Sequence, residues 1–413
     1  MGSSHHNNLD HRACAQAPAI PGACDRGGGA VSLASLGTNA KYKNKTLIDP
    51  ETGEILGLVD PMAGRVQRFV LQSVARKFLP KSRTDKCLRL RQKGRQVEVW
   101  KSHEFKTASF AGLQTCGSVW ACPVCSAKIA ERRRVEIVAA MAAHKAAGGS
   151  VTLLTLTAPH QRTDNLADLL AKQAKALNRF ANDRHVKAAF RSMGIVGQIR
   201  ALEVTHGRLS PLNNGWHPHY HVLQFGGLGE GFVPLDWLQT VDLETVLYQR
   251  WANACKLAGL GEPSRAYGLK LDDGSKAAKY VAKWGLEDEM TKGHTKKALH
   301  GETPFDFLRS YLADSTDKQA AALFREFAET FKGKRQLLWS TGLKKRYAIG
   351  ELSDEEVSAQ MDDEARLLGQ ITLAQWCDVL AVDGRGAVLQ LAAAGGWSAV
   401  SAYLDGIKRQ GDS

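Results

Sequence analysis

Trp216-His217-Pro218-His219-Tyr220-His221-Val222-Leu223-Gln224-Phe225 alternates side-chain character and ends in apolar residues, the pattern of a β-strand. Alternate residues of a strand face the same side, so His217, His219 and His221 emerge together. Neighbouring neutral imidazoles are able to share one divalent cation. A cation used for phosphate chemistry also wants a hard oxygen ligand and open positions for substrate. Glu203, inside the apolar strand Ala201-Leu202-Glu203-Val204, is the natural donor, because a carboxylate there is costly to bury without a cation. Pro218 lacks an N–H for a ladder and is expected at the strand's start, which leaves His217 at the edge.

The strand sits within a mixed pattern. Val151–Thr157 reads as an apolar, β-branched strand stopped by Pro159, Asn165–Phe190 as a helix, and Ile195–Thr205 as a strand. After the histidine strand come a helix over 236–257, a strand over 267–271 and a helix over 275–289. The order β-α-β-β-α-β-α predicts an α+β fold: an antiparallel sheet with helices on one face, of the ferredoxin or RNA-recognition (RRM-like) type. Around this core at 150–304, residues 1–80 read as a mobile N-terminal region with a short helix at 62–78. Residues 81–149 read as a basic, cysteine-bearing module, and 305–413 as a mainly helical C-terminal region. No internal repeat is visible.

The formal net charge of +13 and a pI near 9.3 favour a polyanionic partner, nucleic acid ahead of a membrane surface. The apolar run nearest to a membrane span, Ala387–Leu404, is broken by Gln390, Gly395, Gly396 and two serines, so no membrane role is expected. Met1-Gly2-Ser3-Ser4-His5-His6 resembles a tag remnant, and no apolar signal core follows it. The expected compartment is the cytoplasm. Eight cysteines in a chain of 413 residues are too few for a disulfide scaffold, and their clustering points to metal in a reducing environment.

That cluster is Cys116-Gly-Ser-Val-Trp-Ala-Cys122-Pro-Val-Cys125, a C-x2-C knuckle with a third thiol six residues earlier. Cys87, returned by two short strands, completes a four-thiolate structural Zn2+ site, with His103 as the reserve ligand. Unliganded buried cysteines are the plainer alternative. The segment 81–106 carries nine basic and three acidic residues, and Arg132, Arg133 and Arg134 follow the cluster. A basic run is usually a solvated helix face; beside a zinc knuckle these arginines are read as DNA phosphate contacts.

Downstream, Lys279-Tyr280-Val281-Ala282-Lys283-Trp284 places Lys276, Lys283 and Trp284 on the helical face of Tyr280. A lone tyrosine on such a helix is usually a packing residue. After a metal strand, and flanked by base, it becomes a candidate nucleophile whose phenol needs help at neutral pH. Lys283 is positioned to stabilise the phenolate or the phosphate oxygens, and Lys276 and Lys279 are read as DNA contacts.

Leu153–Thr157, Gly215–Leu223 and Lys279–Lys283, in that order, resemble the motifs of plasmid rolling-circle replication initiators of the HUH endonuclease superfamily. The cysteine cluster before them and Trp339-Ser340-Thr341-Gly342-Leu343-Lys344 after them extend the resemblance over roughly 85–347. It implies an HUH endonuclease core, a catalytic Mg2+ or Mn2+, and nicking of single-stranded or hairpin origin DNA. By the same resemblance Tyr280 forms a 5′-phosphotyrosine and frees a 3′-OH. Host replication proteins and a second copy of the chain are further partners to consider. Several members carry a glutamate four residues before the tyrosine, where this chain has Lys276. That departure leaves the termination step to another carboxylate or a second protomer's tyrosine. Tyr267 is expected to pack on its strand, the alternative being a second nucleophile. The competing readings are a relaxase or single-strand transposase of the same superfamily, and a non-catalytic zinc-containing nucleic-acid-binding regulator.

Overall fold

Strand β7 (Trp216–Gly226) lies at the centre of a five-stranded sheet that gathers most of the motifs. In this computed structural model, residues 46–48, 55–58, 61–102, 107–211, 213–228, 237–283, 301–361 and 364–411 are described. Expectations for 1–45, His103 and 284–300 lie outside the described residues. The chain runs β1 (Thr46–Ile48), β2 (Ile55–Leu58), α1 (Pro61–Phe78), α2 (Arg83–Lys86), β3 (Val97–Ser102), β4 (Thr107–Ala111) and α3 (Pro123–Ala146). Then follow β5 (Ser150–Thr157), α4 (Leu166–Asn182), α5 (Arg184–Ser192), β6 (Gly197–His206), β7, α6 (Trp237–Leu257), β8 (Leu269–Asp272) and α7 (Gly274–Lys283). The remainder is α8 (Pro304–Ala313), α9 (Lys318–Thr330), β9 (Leu337–Trp339), α10 (Leu343–Arg346), α11 (Asp354–Ala359), β10 (Ala365–Ile371), α12 (Leu373–Ala381) and α13 (Arg385–Gly411).

The sheet order is β8-β5-β7-β6-β9, antiparallel throughout, so β7 is inserted between β5 and β6 in a split β-α-β arrangement. The expected order of elements holds, with one division. The helix read over 165–190 breaks at Asp183, whose carboxylate accepts the His185 and Val186 N–H groups and starts α5.

Helices cover both faces of this sheet, not one. Leu154, Leu156, Tyr220 and Val222 pack against α4 and α6 through Leu169, Leu170, Leu247 and Trp251. Val151, Leu153, Leu223 and Phe225 pack on the opposite side against Ile137 and Met141 of α3 and Ala277 and Val281 of α7. The reason lies in β5 and β7 themselves. At their inner ends both parities are apolar, and an apolar face left in water forfeits roughly 1.5–3 kcal/mol per large side chain.

The region 305–413 is not a separate helical unit. β9 extends the central sheet beside β6, and β10 pairs with β3 in a second sheet of order β10-β3-β4. That sheet buries Val97, Val99 and Phe110 against Phe69 of α1, Trp376 of α12, and Val388, Leu389 and Val400 of α13. Three residues are too few to display a strand's period, and β10 is an edge strand interrupted by a bulge between Leu367 and Gly369. A side chain at Gly369 would collide with the Trp397 ring, so glycine allows α13 its approach. Among the described residues α13 holds the one segment, Arg385–Ile407, long and apolar enough to cross a membrane. Only 28% of that segment is buried: one face packs on the second sheet through Val388, Leu389, Ala392, Val400 and Leu404, and the helix is kinked at Gly396 (φ 69°).

At the end of β6, His206 accepts the Arg208 N–H on Nδ1 at 3.0 Å, a bond that needs a neutral ring. Burial, and then the Arg208 charge, lower its pKa from 6.5 to about 4. Between those values the unfolded chain binds the proton that the folded chain refuses. Stability is therefore expected to fall as pH drops from 6.5 to about 4, and the His206 contribution to level off below that. Urea midpoints at pH 7 and 4.5 should show a smaller drop in His206→Asn; equal drops would contradict the assignment.

Candidate metal centre and tyrosine site

The ladder between β6 and β7 sets Glu203 directly opposite His219 and Ala201 opposite His221. On the other side of β7, Thr157 faces His219 and Thr155 faces His221. Thr155 Oγ1 lies 3.0 Å from His221 Nδ1, which turns the ring's Nε2 toward the carboxylate. Glu203 Oε2 is 3.4 Å from His219 Nε2 and 3.7 Å from His221 Nε2. One donor atom from each of Glu203, His219 and His221 lies within 4.8 Å of the others, a set suited to a divalent metal.

Helix α7 crosses the same face. Tyr280 places its ring 4.5 Å from that of His221, and its hydroxyl donates to Glu203 Oε1 at 2.5 Å. Burial raises the Glu203 pKa, but the His219 hydrogen bond, the two imidazoles and the Tyr280 hydroxyl outweigh it and hold the carboxyl at about 2. Burial, then the Glu203 charge, push the Tyr280 phenol well above its usual range. Burial also lowers His221 to about 4, so its ring is neutral, as a metal ligand must be.

His217 is not part of the donor set. It stacks on His160 at 4.7 Å, its Nε2 is buried without a hydrogen-bond partner, and burial lowers its pKa to about 3. Pro218 lies within β7 rather than at its start. β5 ends at Thr157, so beyond His219 the strand is paired on the β6 side only, where proline is tolerated.

The arginine run is turned inward. Arg132 and Arg133 both bond Glu136, which is completely buried; Arg133 also reaches Asp354, and Arg134 pairs with Glu131. Lys344, from the Trp339–Lys344 motif, lies 3.3 Å from the same Glu136. These cations are spent on an internal network because α3 lies between the two sheets, and the phosphate reading of Arg132, Arg133 and Arg134 gives way to it. Lys276 bonds Asp272 at 2.6 Å, while Lys279 is exposed. Lys283 closes α7, and its side chain lies outside the described residues. Tyr267 is 77% exposed in the turn before β8, so it is not a packing residue.

One residue escaped the sequence reading. Lys270 of β8 pairs with Thr155, which pairs with His221, so the lysine stands on the histidine face of the same cross-strand row. It is exposed and has no ion-pair partner among the described residues. Only register reveals it, since a lysine in a short strand carries no signal of its own.

The four cysteines converge. Cys87 follows α2, and Leu88 and Leu90 exchange backbone hydrogen bonds with Gln114, which brings Cys116 beside it. The sulfurs of Cys87 and Cys125, Cys116 and Cys125, and Cys122 and Cys87 are 3.5, 3.6 and 3.8 Å apart. A tetrahedron with metal–sulfur bonds of about 2.3 Å spaces its sulfurs by roughly 3.8 Å. Gln72 donates to Cys122 Sγ at 3.1 Å, and buried Arg385 holds Gln72 at 2.6 Å. Burial raises Cys122, yet hydrogen bonds from Cys116, Cys125 and Cys87 take it well below the usual thiol range. The donor set fits a closed metal site.

Residues 109–227 match the family model described as a replication protein. Among curated proteins, "Protein rep" of Streptomyces lividans is 39% identical, with 30% of this chain and 32% of that protein covered. "Neomycin resistance protein" of Streptomyces cyanogenus is 34% identical, over 29% of this chain and 32% of its own length. The chain thus spans about a third of the length of the curated relatives it matches. No solved structure matches it significantly. The matched segment contains Cys116, Cys122, Cys125, Glu203, His219 and His221, and through it the chain resembles the replication proteins of plasmids.

Proposed function

We propose that this chain initiates rolling-circle plasmid replication by cutting and rejoining one DNA strand at an origin, through an HUH-type core with Tyr280 as nucleophile. The observation that carries the reading is the Tyr280 hydroxyl seated on Glu203 inside the Glu203–His219–His221 donor set. When bound there, Mg2+ or Mn2+ would polarise the scissile phosphate. Glu203, His219 and His221 would hold that cation, and Thr155 fixes the His221 ring. Glu203 also accepts the phenol's hydrogen bond and so fixes the direction of attack. Burial and the Glu203 charge facing Tyr280 keep the phenol protonated until it attacks. The Tyr280 oxygen then bonds to phosphorus, the bond from phosphorus to the 3′ oxygen breaks, and the phenol's proton is balanced by one taken up on the departing 3′-OH. The product on the protein is a 5′-phosphotyrosine.

Lys270 and Lys279 supply the cationic bed for the strand, and Lys283, three residues after Tyr280, is the candidate to stabilise the phenolate or the phosphate oxygens. Lys276, engaged by Asp272, instead steadies the start of α7. Cys87, Cys116, Cys122 and Cys125 would hold Zn2+ and join α2, the β3–β4 hairpin and α3 into a DNA-binding module. Four thiolates and one Zn2+ leave a charge of −2, and the buried cations Lys128 and Arg385, both close enough for these cysteines to influence their pKa values, offset it. A bacterial cytoplasm, which keeps such thiols reduced, suits this arrangement.

Three outcomes are expected. Incubated with labelled single-stranded origin DNA and Mn2+, the chain forms an SDS-stable adduct and Tyr280→Phe forms none; equal adduct in both removes the nucleophile. Lys270→Ala slows nicking about tenfold or more while Mn2+ affinity stays unchanged, as expected for a charge-assisted phosphate contact. An unchanged rate shows that Lys270 lies off the strand's path. Cys122→Ser releases zinc and destabilises the 85–148 region, read by metal content and limited proteolysis; undiminished zinc stoichiometry defeats the four-thiolate assignment.

A further inference from the structure

Beside Cys125, between α1, β4, α3 and residues 358–361, lies a half-open pocket of about 220 Å³ that shares no lining residue with the tyrosine site. Its walls include Phe69 and Phe110, and its cationic lining is Arg65, Arg68, Arg95, Lys128 and Arg132; Arg65 donates to Ala108 O and Arg132 to Glu136. Arg68 Nε is buried without a hydrogen-bond partner, and neither Arg68 nor Arg95 makes an ion pair among the described residues. Lys128 is held by two carbonyls, Ser358 O at 2.8 Å and Gln360 O at 2.5 Å. Glu131, the acidic residue of the lining, is engaged by Arg134. An apolar slot with unbalanced guanidinium groups matches a ligand that has a flat apolar body and an anionic tail. A nucleotide has that chemistry, with the base against the aromatic walls and the phosphate on the arginines.

We propose that this cavity takes one unpaired nucleotide of a bound DNA strand. The proposal rests on reading the chain as a DNA-binding protein, but not on the chemistry at Tyr280. Ala127 lines the cavity from α3, so Ala127→Phe fills the slot without changing charge, whereas Arg68→Gln with Arg95→Gln removes the phosphate contacts.

The full zinc-loaded chain, carrying Tyr280→Phe so that no cutting occurs, is titrated with a fluorescein-labelled single-stranded oligonucleotide, a duplex of equal length, and dAMP. Zinc content and circular dichroism report folding. Both sets of substitutions are expected to weaken single-strand binding about tenfold. Ala127→Phe should leave duplex binding unchanged, because paired bases do not enter a slot. Single-strand binding that is equal in Ala127→Phe and its parent overturns the proposal, as does an equal loss on the duplex. Tight dAMP binding lost in Ala127→Phe, with oligonucleotide binding unaffected, also overturns it and assigns the cavity to a free nucleotide. The adduct assay at Tyr280 is separate, so failure of either reading is recognised without the other.

Discussion

The ladder between β6 and β7 is the constraint on which the site depends. Its register runs unbroken from Gly197 opposite Phe225 to His206 opposite Trp216, and it sets Glu203 against His219. A slip of one residue would turn every side chain of one strand to the other face. His219 and His221 would then point into the core that holds Leu169 and Trp251, while Tyr220 and Val222 would face solvent and α7. The alternation of apolar and polar residues along β7 resists that slip, so burial of one face fixes the placement of the ligands on the other. Leu223 and Phe225 add to this by packing on α3 and α7, which holds Tyr280 above the carboxylate.

The second sheet works through a different force. Its core of Phe69, Val99, Phe110 and Trp376 is small, and the cysteine cluster sits at its border with α3. Arg385, fully buried, bonds Gln72 and Asp383, stacks over Phe69 and so links α13 to the group that hydrogen-bonds Cys122. A buried cation is costly unless its charge is matched. Here Asp383 and the Cys122 sulfur supply part of that match, which couples the cysteine cluster to the C-terminal helix. The internal network of Glu136 with Arg132, Arg133 and Lys344 serves the same end at the other side of α3. Removing Glu136 would take from Arg132, Arg133 and Lys344 the buried carboxylate they share.

Much of this was legible because local patterns carry it. The i, i+2 spacing of His219 and His221, the apolar strand around Glu203 and the C-P-x-C knuckle each state a geometry within a few residues. The order of elements from 150 to 283 follows from periodicity alone. Other features had no local signal. His217 shares the parity of the other two histidines, but β5 ends before it and leaves its ring to stack on His160. Arg132, Arg133 and Arg134 look solvated in sequence because, although Glu131 and Glu136 stand at helical pairing distance, nothing local announces that Glu136 is buried. Lys270 is an ordinary surface lysine until Thr155 places it beside His221.

The sequence by itself determined the strands, helices and donor types, since these arise from spacing and side-chain chemistry within one element. Only the tertiary structure decided which donors meet. It brought Glu203 to His219 and seated Tyr280 on that glutamate from 77 residues away, and it gathered four sulfurs from the end of α2, the loop at Cys116 and the start of α3. It also wove β9 and β10 into the two sheets rather than leaving a helical tail. The physical reason is that pairing and burial are long-range. Each strand's hydrogen-bond partner and each apolar face's cover lie far away along the chain, and no window of sequence contains both.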